Sequence, residues 1–288
     1  HPGEIAYLTD IAQPVVGVVN NAGPAHLEGF GDVPGVAKAK GELFAGLAAD
    51  AVCVINADDE FAGLWYSMAA PRRVISFGLN AVADVSANWS GDITGSDVEL
   101  ITPAGTVSLR LALPGQHNVM NALAATAAAL AVDISLEHIV SGLSSMRPVG
   151  GRWQLQPGIN GAQLIDDTYN ANPASLRVAL ELLSATDAET WLVLGDMGEL
   201  GEEGERLHSQ VGEQARQARV QRLFALGELA GKAAHTFGSG AETFTGMDAL
   251  NARIEELLHP GVVILVKGSR AMHMEHVVEA LSADEGDA

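Results

Sequence analysis

A strand-then-helix pattern that repeats along the second half of the chain limits the possible folds more than any other feature. Four short apolar runs fit strands: "AQLIDD" (162–167), "TWLVLGD" (190–196), "RLFALG" (222–227) and "GVVILVKG" (261–268). Longer segments with helical periodicity fit helices over residues 173–184, 203–218, 228–236, 247–258 and 271–281. Strands that alternate with helices in this way are typical of a parallel sheet with helices on both faces. The pattern therefore predicts a doubly wound α/β domain.

The first half of the chain has a similar alternation with one interruption. Three β-branched runs predict buried parallel strands: "VVGVVN" (15–20), "AVCVIN" (51–56) and "RRVISFG" (72–78). Helices are predicted over residues 34–49, over the Ala-rich segment up to residue 130, and near 135–146. Between about residues 82 and 112 the pattern changes to short alternating stretches around a "PAG" turn, which predicts a β-hairpin.

The chain length and one Gly/Pro-rich stretch predict two domains. A chain of 288 residues exceeds the usual size of one domain, and "MRPVGGRW" separates the two alternating regions near residue 152. We therefore expect domains at 1–152 and 153–288. The first residues, "HPGEIAYL", contain no Met and begin within a domain pattern, so we expect the amino-terminal part of a longer protein to precede them.

Charge and cysteine content narrow the classes of partner. Acidic residues outnumber basic ones by 36 to 16, which argues against nucleic acid and against an anionic membrane as partners. A small anionic ligand needs only a local positive pocket and stays possible. The single Cys53 excludes an internal disulfide and fits a reducing cytosol, and no apolar run is long enough to span a bilayer. We expect a cytoplasmic protein.

Polar clusters follow three of the predicted strands in the second domain. They are "DDTYNANP" (166–173), "GDMGELGEEG" (195–204) and "KGSRAMHME" (267–275). Ordinary turn chemistry explains any one of them as well as a ligand site does. Together they favour an active-site rim, because ligands bind beyond the carboxyl ends of parallel strands and because turns do not require Tyr169, Lys267 or Arg270.

Five further residues have both a structural and a functional interpretation. Arg152 is either a linker arginine or a phosphate ligand, and His26 either caps a turn or binds a divalent ion. Lys40 is either a solvated charge on an amphipathic helix or a group that reaches the end of the preceding strand. Asn118 and Asn121, in "LPGQHNVMNALAATAAAL" (113–130), either cap the helix or line a ligand pocket at its amino terminus.

Nine motifs in order give the chain a resemblance to a known family. They are "HPGEI", "NNAGPAHLEGFG", "VAKAKGELF", "NADDE", "LPGQHNVMNALAA", "RPVGGRW", "DDTYNANP", "LGDMGELG" and "VKGSRAMHME". With them the chain resembles the carboxyl-terminal two-thirds of a Mur ligase over nearly its whole length. "DDTYNANP", "GDMGELG" and "VKGSR" resemble the member that adds D-Ala-D-Ala, rather than those that add L-Ala, D-Glu or a diamino acid.

The resemblance implies a fold and an activity. The fold is a central nucleotide-binding parallel-sheet domain followed by a Rossmann-like domain that closes over it. The activity is ATP-dependent ligation of D-Ala-D-Ala to UDP-N-acetylmuramoyl-tripeptide through an acyl phosphate, in the synthesis of peptidoglycan precursors. ATP and Mg²⁺ are the implied cofactors, and we expect a monomer.

Roles for individual residues follow from the same resemblance. His26 and Lys40, the latter as a carbamate, match ligands of Mg²⁺, and Asn118 and Asn121 match contacts to adenine. The remaining matches are Arg152 on the phosphates, Asp167 near the ribose, and Asn170, Asn172, Lys267, Ser269 and Arg270 facing the acyl phosphate and the dipeptide. We expect catalysis to depend on Lys40, His26, Arg152 and Lys267.

Departures from the family pattern keep alternatives open. The chain has no G-x-x-G-K-[ST] phosphate loop, no glutamate for Mg²⁺ before "HPGEI" and no domain for the uridine nucleotide, so we expect it to be inactive by itself. The alternatives are the meso-diaminopimelate-adding ligase, folylpolyglutamate synthase and a non-catalytic nucleotide-binding module. The sequence lacks the D-N-P-R stretch expected of the first. His26, Lys40, Asn118 and Arg152 together argue against the last, which needs no Mg²⁺ ligands.

Overall fold

The computed structural model describes residues 1–23 and 31–283, which pack into two compact units. Unit 1 takes most of residues 1–146, and unit 2 takes the chain from Arg147 onward together with two short pieces, 92–94 and 113–115. Each unit contains a parallel sheet, so the predicted α/β fold class is confirmed. The domain boundary at residue 152 stays a prediction. No helix among the described residues has the length and apolar character that crossing a bilayer requires.

The first 146 residues form a small parallel sheet and a small antiparallel sheet. The elements are α1 (Glu4–Ala12), β1 (Val16–Val19), α2 (Val33–Gly46), β2 (Val52–Asn56), α3 (Ala62–Ala69), β3 (Arg73–Phe77), β4 (Ser86–Asp92), β5 (Gly95–Thr102), β6 (Gly105–Leu111), α4 (Gln116–Ala131) and α5 (Leu136–Ser145). The three predicted apolar strands pair in parallel in the order β1-β2-β3. The sequence pattern had not indicated α1 or α3.

Strand β2 lies at the centre of the parallel sheet and is buried along its whole length. Its alternate side chains enter two different cores, because successive residues of a strand point to opposite faces. Cys53 and Ile55 join the core that also contains residues of α2 and α3, and Val52 and Val54 join the core built with α4. Helices therefore cover both faces of the sheet.

The predicted hairpin is confirmed and is part of a three-stranded antiparallel sheet. Strands β5 and β6 pair from Ser96–Leu111 to Thr102–Gly105 across the "PAG" turn, and β4 lies on the other side of β5. Alternating residues such as Val98 and Leu100 are buried in the core shared with α4. The insertion thus extends the core of unit 1.

Unit 2 contains a six-stranded sheet. Its elements are β7 (Gln154–Pro157), β8 (Gln163–Asp166), α6 (Pro173–Leu183), β9 (Glu189–Gly195), α7 (Gly204–Gln217), β10 (Arg222–Leu226), α8 (Glu228–Phe237), β11 (Ala241–Phe244), α9 (Met247–Leu257), β12 (Val262–Lys267) and α10 (Glu275–Leu281). The strand order is β11-β10-β9-β12-β8-β7, and only β7 is antiparallel to its neighbour. The helix predicted over 271–281 begins at Glu275, because Arg270–Met272 form a turn of 3₁₀ helix.

The helices of unit 2 divide between the two faces of this sheet. Helices α6, α7 and α8 share a core with Leu192 and Leu194, and α9 and α10 share a core with Trp191 and Val193. Strand β12 lies between β8 and β9 in the sheet. The chain leaves β8 and β9 toward the face covered by α6 and α7, whereas it leaves β12 toward the opposite face, covered by α10. Such a reversal opens a crevice at the carboxyl ends of the strands, which is where α/β sheets bind ligands.

Candidate functional site

Polar side chains meet at the carboxyl ends of β1 and β2 in unit 1. Asn56, the last residue of β2, donates through Nδ2 to the backbone oxygen of Asn20 at 2.8 Å. The Nδ2 group of Asn20 in turn donates to Oδ1 of Asn121 at 3.1 Å. Asn121 lies in α4, and Asn118 lies about one turn earlier in the same helix. The start of α4 is therefore at this edge of the sheet.

Lys40 also reaches this edge. Its side chain extends from α2, is half-buried and donates through Nζ to the backbone oxygen of Asn21 at 2.7 Å. Lys38, two residues earlier in the same helix, is exposed. Of the two interpretations in the sequence analysis, the geometry favours a lysine that turns back to the strand end, whereas Lys38 is the solvated charge.

Two adjacent aspartates, for which no role was predicted, organise the loops beside this edge. Asp59 accepts the backbone N–H of Ala22 at 2.9 Å and so ties the segment after β1 to the segment after β2. Asp58 accepts backbone N–H groups of Leu79 and Ala81 at 2.7 and 2.6 Å, beyond the end of β3. The signal in the sequence is a pair of acids that begins two residues after the last residue of a buried strand.

The residues around Lys40 fit a magnesium site only in part. An ammonium group donates hydrogen bonds and cannot bind a cation, whereas a carbamate on Nζ would present the oxygen donors that Mg²⁺ prefers. His26, the other expected ligand, lies outside the described residues. Within 1–23 and 31–283, no cluster of three or more His, Cys, Asp or Glu side chains could hold a metal. Lys40 therefore fits Mg²⁺ only after carbamylation and with ligands beyond the described residues.

A buried ion pair lies at the carboxyl edge of the sheet in unit 2. Lys267 ends β12, and its side chain is only 3% exposed. Its Nζ lies 2.6 Å from Oδ2 of Asp167 and donates to the backbone oxygen of Asn170 at 2.9 Å. Burial raises the pKa of Asp167 above its ordinary value, although the attraction of Lys267 opposes that effect. Lys267 thus holds the loop after β8 in place.

Two amides of that loop bond to nearby backbone. Oδ1 of Asn172 accepts the N–H of Ser175 at 2.8 Å, and Oγ of Ser175 accepts the N–H of Asn172 at 3.2 Å, which makes a capping box at the start of α6. Oδ1 of Asn170 accepts the N–H of Ala171 at 2.9 Å. For these two residues the structure contains the turn chemistry that the sequence analysis weighed against a ligand role.

The second and third polar clusters meet where β9 and β12 end. The backbone N–H of Ser269 donates to the backbone oxygen of Asp196 at 3.0 Å. The carboxylate of Asp196 accepts the N–H of Ala230 at 2.6 Å, at the start of α8. Arg270 is exposed and pairs with Glu275 at 3.1 Å. Ser269 and Arg270 therefore lie beside the carboxyl ends of β9 and β12.

A fully buried histidine, to which no sequence motif pointed, supports the same strand ends. Nε2 of His208 accepts the backbone N–H of Met197 at 2.9 Å, so Nδ1 carries the proton and donates to the backbone oxygen of Gly204 at 2.7 Å. These bonds fix the loop after β9 to the first turn of α7. A lone histidine in an amphipathic helix gives no signal of such a role.

The structure groups the predicted site residues separately within each unit. In unit 1 the described ones, Lys40, Asn118 and Asn121, belong to elements that meet at the end of β1. In unit 2 the remaining ones lie along the strand ends of the six-stranded sheet or beside them: Arg152, Asp167, Asn170, Asn172, Lys267, Ser269 and Arg270. A parallel α/β sheet with polar groups at its carboxyl edge defines a class of ligand-binding protein.

Comparisons with known proteins identify the family. The model of the Mur ligase middle domain matches residues 1–129, and that of the Mur ligase glutamate ligase domain matches residues 151–270. UDP-N-acetylmuramoyl-tripeptide--D-alanyl-D-alanine ligase from Escherichia coli is 41% identical over 98% of the chain, and its counterpart from Mycobacterium tuberculosis is 34% identical over 99%. The chain belongs to the Mur ligase family.

Solved structures agree with this assignment. A crystal structure of MurF from Acinetobacter baumannii matches 97% of the chain with a TM-score of 0.88 and 33% identity. MurF from Thermotoga maritima, solved in complex with ADP, matches with a TM-score of 0.80 at 24% identity, which is a likeness of fold. The chain spans 63% of the length of the Escherichia coli relative and 62% of the Acinetobacter baumannii chain.

Proposed function

We propose that the chain is part of the ATP-dependent ligase that adds D-Ala-D-Ala to UDP-N-acetylmuramoyl-tripeptide during peptidoglycan precursor synthesis. The observation that carries this proposal is the 41% identity, over 98% of the chain, to a relative with that name. Because the chain spans 63% of that relative, the activity is proposed for the full-length protein. The single buried cysteine supports a cytoplasmic location, and the formal charge of -20 argues against nucleic-acid and anionic-membrane partners. The proposed protein is a monomer.

The two predicted domains have different tasks in this proposal. Residues 1–152 form the central ATP-binding domain, where Asn118 and Asn121 contact adenine and Lys40, as a carbamate, binds Mg²⁺ with His26. When bound, Mg²⁺ would neutralise negative charge on the phosphate groups. Lys40 and Asn121 both reach the end of β1, through bonds to Asn21 and Asn20, which supports placing them in one site.

Residues 153–288 form the carboxyl-terminal ligase domain. Arg152, at the junction, binds phosphate oxygens, and Asp167 binds the ribose. Lys267 is proposed to act on the acyl phosphate while its Nζ holds Asp167 at 2.6 Å. The residues proposed to face the acyl phosphate and the dipeptide are Asn170, Asn172, Ser269 and Arg270.

The proposed reaction has two steps. The terminal carboxylate of the tripeptide attacks the γ-phosphorus of ATP, and ADP leaves, which yields an acyl phosphate. The amine of D-Ala-D-Ala then attacks the acyl carbon, loses a proton and expels phosphate to leave an amide. The basic side chains offset the negative charge on the transferring phosphoryl group.

A phosphate-release assay on the full-length protein tests the proposal. We expect release only when ATP, UDP-N-acetylmuramoyl-tripeptide and D-Ala-D-Ala are all present. Release with L-Ala, D-Glu, meso-diaminopimelate or a folate and glutamate would instead assign the chain to another ligase of this scaffold. If no combination releases phosphate but ATP still binds, the chain belongs to a non-catalytic nucleotide-binding module.

A lysine pair sharpens this assay. Lys40→Ala should abolish release and regain part of it with a short added carboxylate, because the carboxylate replaces the carbamate oxygens. Lys38→Ala, which removes the exposed charge two residues away, should keep normal release. Unchanged activity of the Lys40 variant would contradict the carbamate role.

A further inference from the structure

Tyr169 is a large aromatic residue in a place where the fold does not need one. It lies in the polar loop after β8, and half of its surface is exposed. The nearby apolar core, which includes Ala171 and Leu176, does not contain it. Neither core packing nor turn chemistry therefore accounts for a tyrosine at this position.

The ring of Tyr169 lies against a cation. The guanidinium carbon of Arg152 is 4.2 Å from the centroid of the ring, well inside the distance at which a cation and an aromatic face attract each other. Arg152 and Tyr169 both belong to unit 2. The guanidinium carbon thus lies over the face of the ring.

Hydrogen bonds hold the backbone on both sides of Arg152. Gly151 donates through its N–H to the carboxylate of Asp166 at 3.1 Å and accepts the N–H of Tyr169 at 2.9 Å. Trp153 donates its N–H to Oδ1 of Asp167 at 3.2 Å. With the backbone held on both sides, the orientation of the guanidinium depends on the side chain of Arg152, and the ring of Tyr169 lies next to that side chain.

Gly151 makes this close approach possible. Its φ is +73°, in the left-handed region that favours glycine, and a Cβ there would lie 3.0 Å from the backbone nitrogen of Tyr169. A larger residue would push the segment before Arg152 away from the loop after β8. The contact between the two segments therefore depends on a glycine directly before the arginine.

The N–H groups of Arg152 stay available for a ligand. Among the residues that the structure describes, no carboxylate pairs with its guanidinium and no acceptor bonds to it, although the carboxylates of Asp166 and Asp167 accept the backbone N–H groups of its two neighbours in the chain. A cation–π contact supplies no hydrogen-bond acceptor oxygen, so the N–H donors of the guanidinium stay unoccupied, and those donors match the oxygens of a phosphoryl group.

We propose that Tyr169 is a positioning residue that holds Arg152 ready for a phosphoryl oxyanion. The ring restricts the guanidinium before the ligand arrives, so that less rotamer entropy is lost on binding. This inference rests on the proposed function, in which Arg152 binds phosphate. Tyr169 itself does not contact the reacting atoms.

A spectroscopic test asks whether the ring orders the arginine. In the full-length protein labelled with ¹⁵N-arginine, the Nε–H resonance of Arg152, assigned by its loss in Arg152→Lys, should carry a ring-current shift. The shift should persist in Tyr169→Phe, which keeps the aromatic face, and disappear in Tyr169→Leu. An unchanged resonance in Tyr169→Leu would overturn the proposal.

A binding test asks whether the contact serves phosphate recognition. ADP affinity, measured by calorimetry on the full-length protein, should fall about two- to fivefold in Tyr169→Leu, the range expected from loss of an exposed cation–π contact. It should stay near wild type in Tyr169→Phe and in Tyr66→Leu, which removes an exposed tyrosine in α3. Normal affinity in Tyr169→Leu, with Arg152→Ala weakened, would overturn the proposal.

The two tests separate this inference from the proposed function. If Arg152→Ala binds ADP normally, the phosphate role of Arg152 fails and with it the purpose of the contact. If instead the full-length protein lacks ligase activity while Tyr169→Leu loses both the shift and ADP affinity, the positioning role stands. Melting temperatures near wild type in the leucine variant, expected because the Tyr169–Gly151 bond is between backbone groups, would exclude misfolding as the cause.

Discussion

Lys267 illustrates how a buried charge depends on one partner. Its side chain is 3% exposed and that of Asp167 is 18% exposed, so both charges have lost most of their water. Their attraction at 2.6 Å offsets much of that cost, and a buried pair of this kind contributes little net stability. Removing one partner is different, because it leaves the other charge buried and unpaired.

We therefore predict that Lys267→Met destabilises the protein by about 3–5 kcal/mol in urea unfolding. Adding Asp167→Asn should restore part of the loss, because a neutral amide costs less to bury than an unpaired carboxylate. Lys38→Met, at an exposed position, should change the free energy of unfolding by less than about 0.5 kcal/mol. An unchanged free energy of unfolding in Lys267→Met would contradict this prediction. It would show that Asp167 becomes neutral or hydrated without destabilising the fold.

At the scale of elements, the amino-terminal end of α6 combines a structural role in helix capping with a proposed role in ligand binding. Asn172 caps the helix through its own oxygen, and Ser175 returns a bond to its backbone N–H. Pro173 occupies the first position of the helix, where its missing N–H has no cost. The amide nitrogen of Asn172 is not needed for the cap, so the two roles can be separated by substitution.

Asn172→Ala is expected to lower stability by about 1 kcal/mol, because it removes the N-cap oxygen. Asn172→Ser should keep most of the stability, since serine also caps helices well. If the amide binds dipeptide, Asn172→Ser should still raise the KM for D-Ala-D-Ala in the full-length protein. A fully stable Asn172→Ala, measured by thermal unfolding, would mean that the capping box contributes nothing.

Local pattern predicted the central elements better than the edge elements. Strands β2, β9 and β12 are apolar on both faces because helices cover both sides, and that composition is visible in the sequence. Strand β7 has the sequence "QLQP" and β11 has "AETF", and neither forms an apolar run. Each is an edge strand of four residues, and its pairing with a neighbour, rather than its own composition, makes it a strand.

At the scale of the molecule, the lone cysteine offers a probe of unit 1. Cys53 lies in the centre of β2, is fully buried and is the only cysteine in the chain. Burial raises the pKa of its thiol, with a smaller opposing effect from Arg72. Burial keeps reagents away from the thiol, and the raised pKa reduces the fraction of thiolate, which is the reactive form.

The native protein should therefore react negligibly with a thiol reagent at pH 7–8, and the rate should rise with urea as unit 1 opens. The urea-unfolded chain, measured with the same reagent, supplies the full rate for comparison. Rapid labelling of the native protein would contradict the burial of β2. Plotted against urea concentration, the labelling rate should rise together with the part of the circular dichroism loss that comes from unit 1.

Periodicity and motif order were sufficient to predict a doubly wound α/β chain and the Mur ligase family, because both are carried by residues close together in sequence. The roles of single side chains were not predictable in the same way. Lys267 meets Asp167 across 100 residues, Arg152 meets Tyr169 across a hairpin, and Asn172 turns its oxygen to its own helix. Such contacts arise when distant segments pack, and packing, rather than local composition, selects one partner for each polar group.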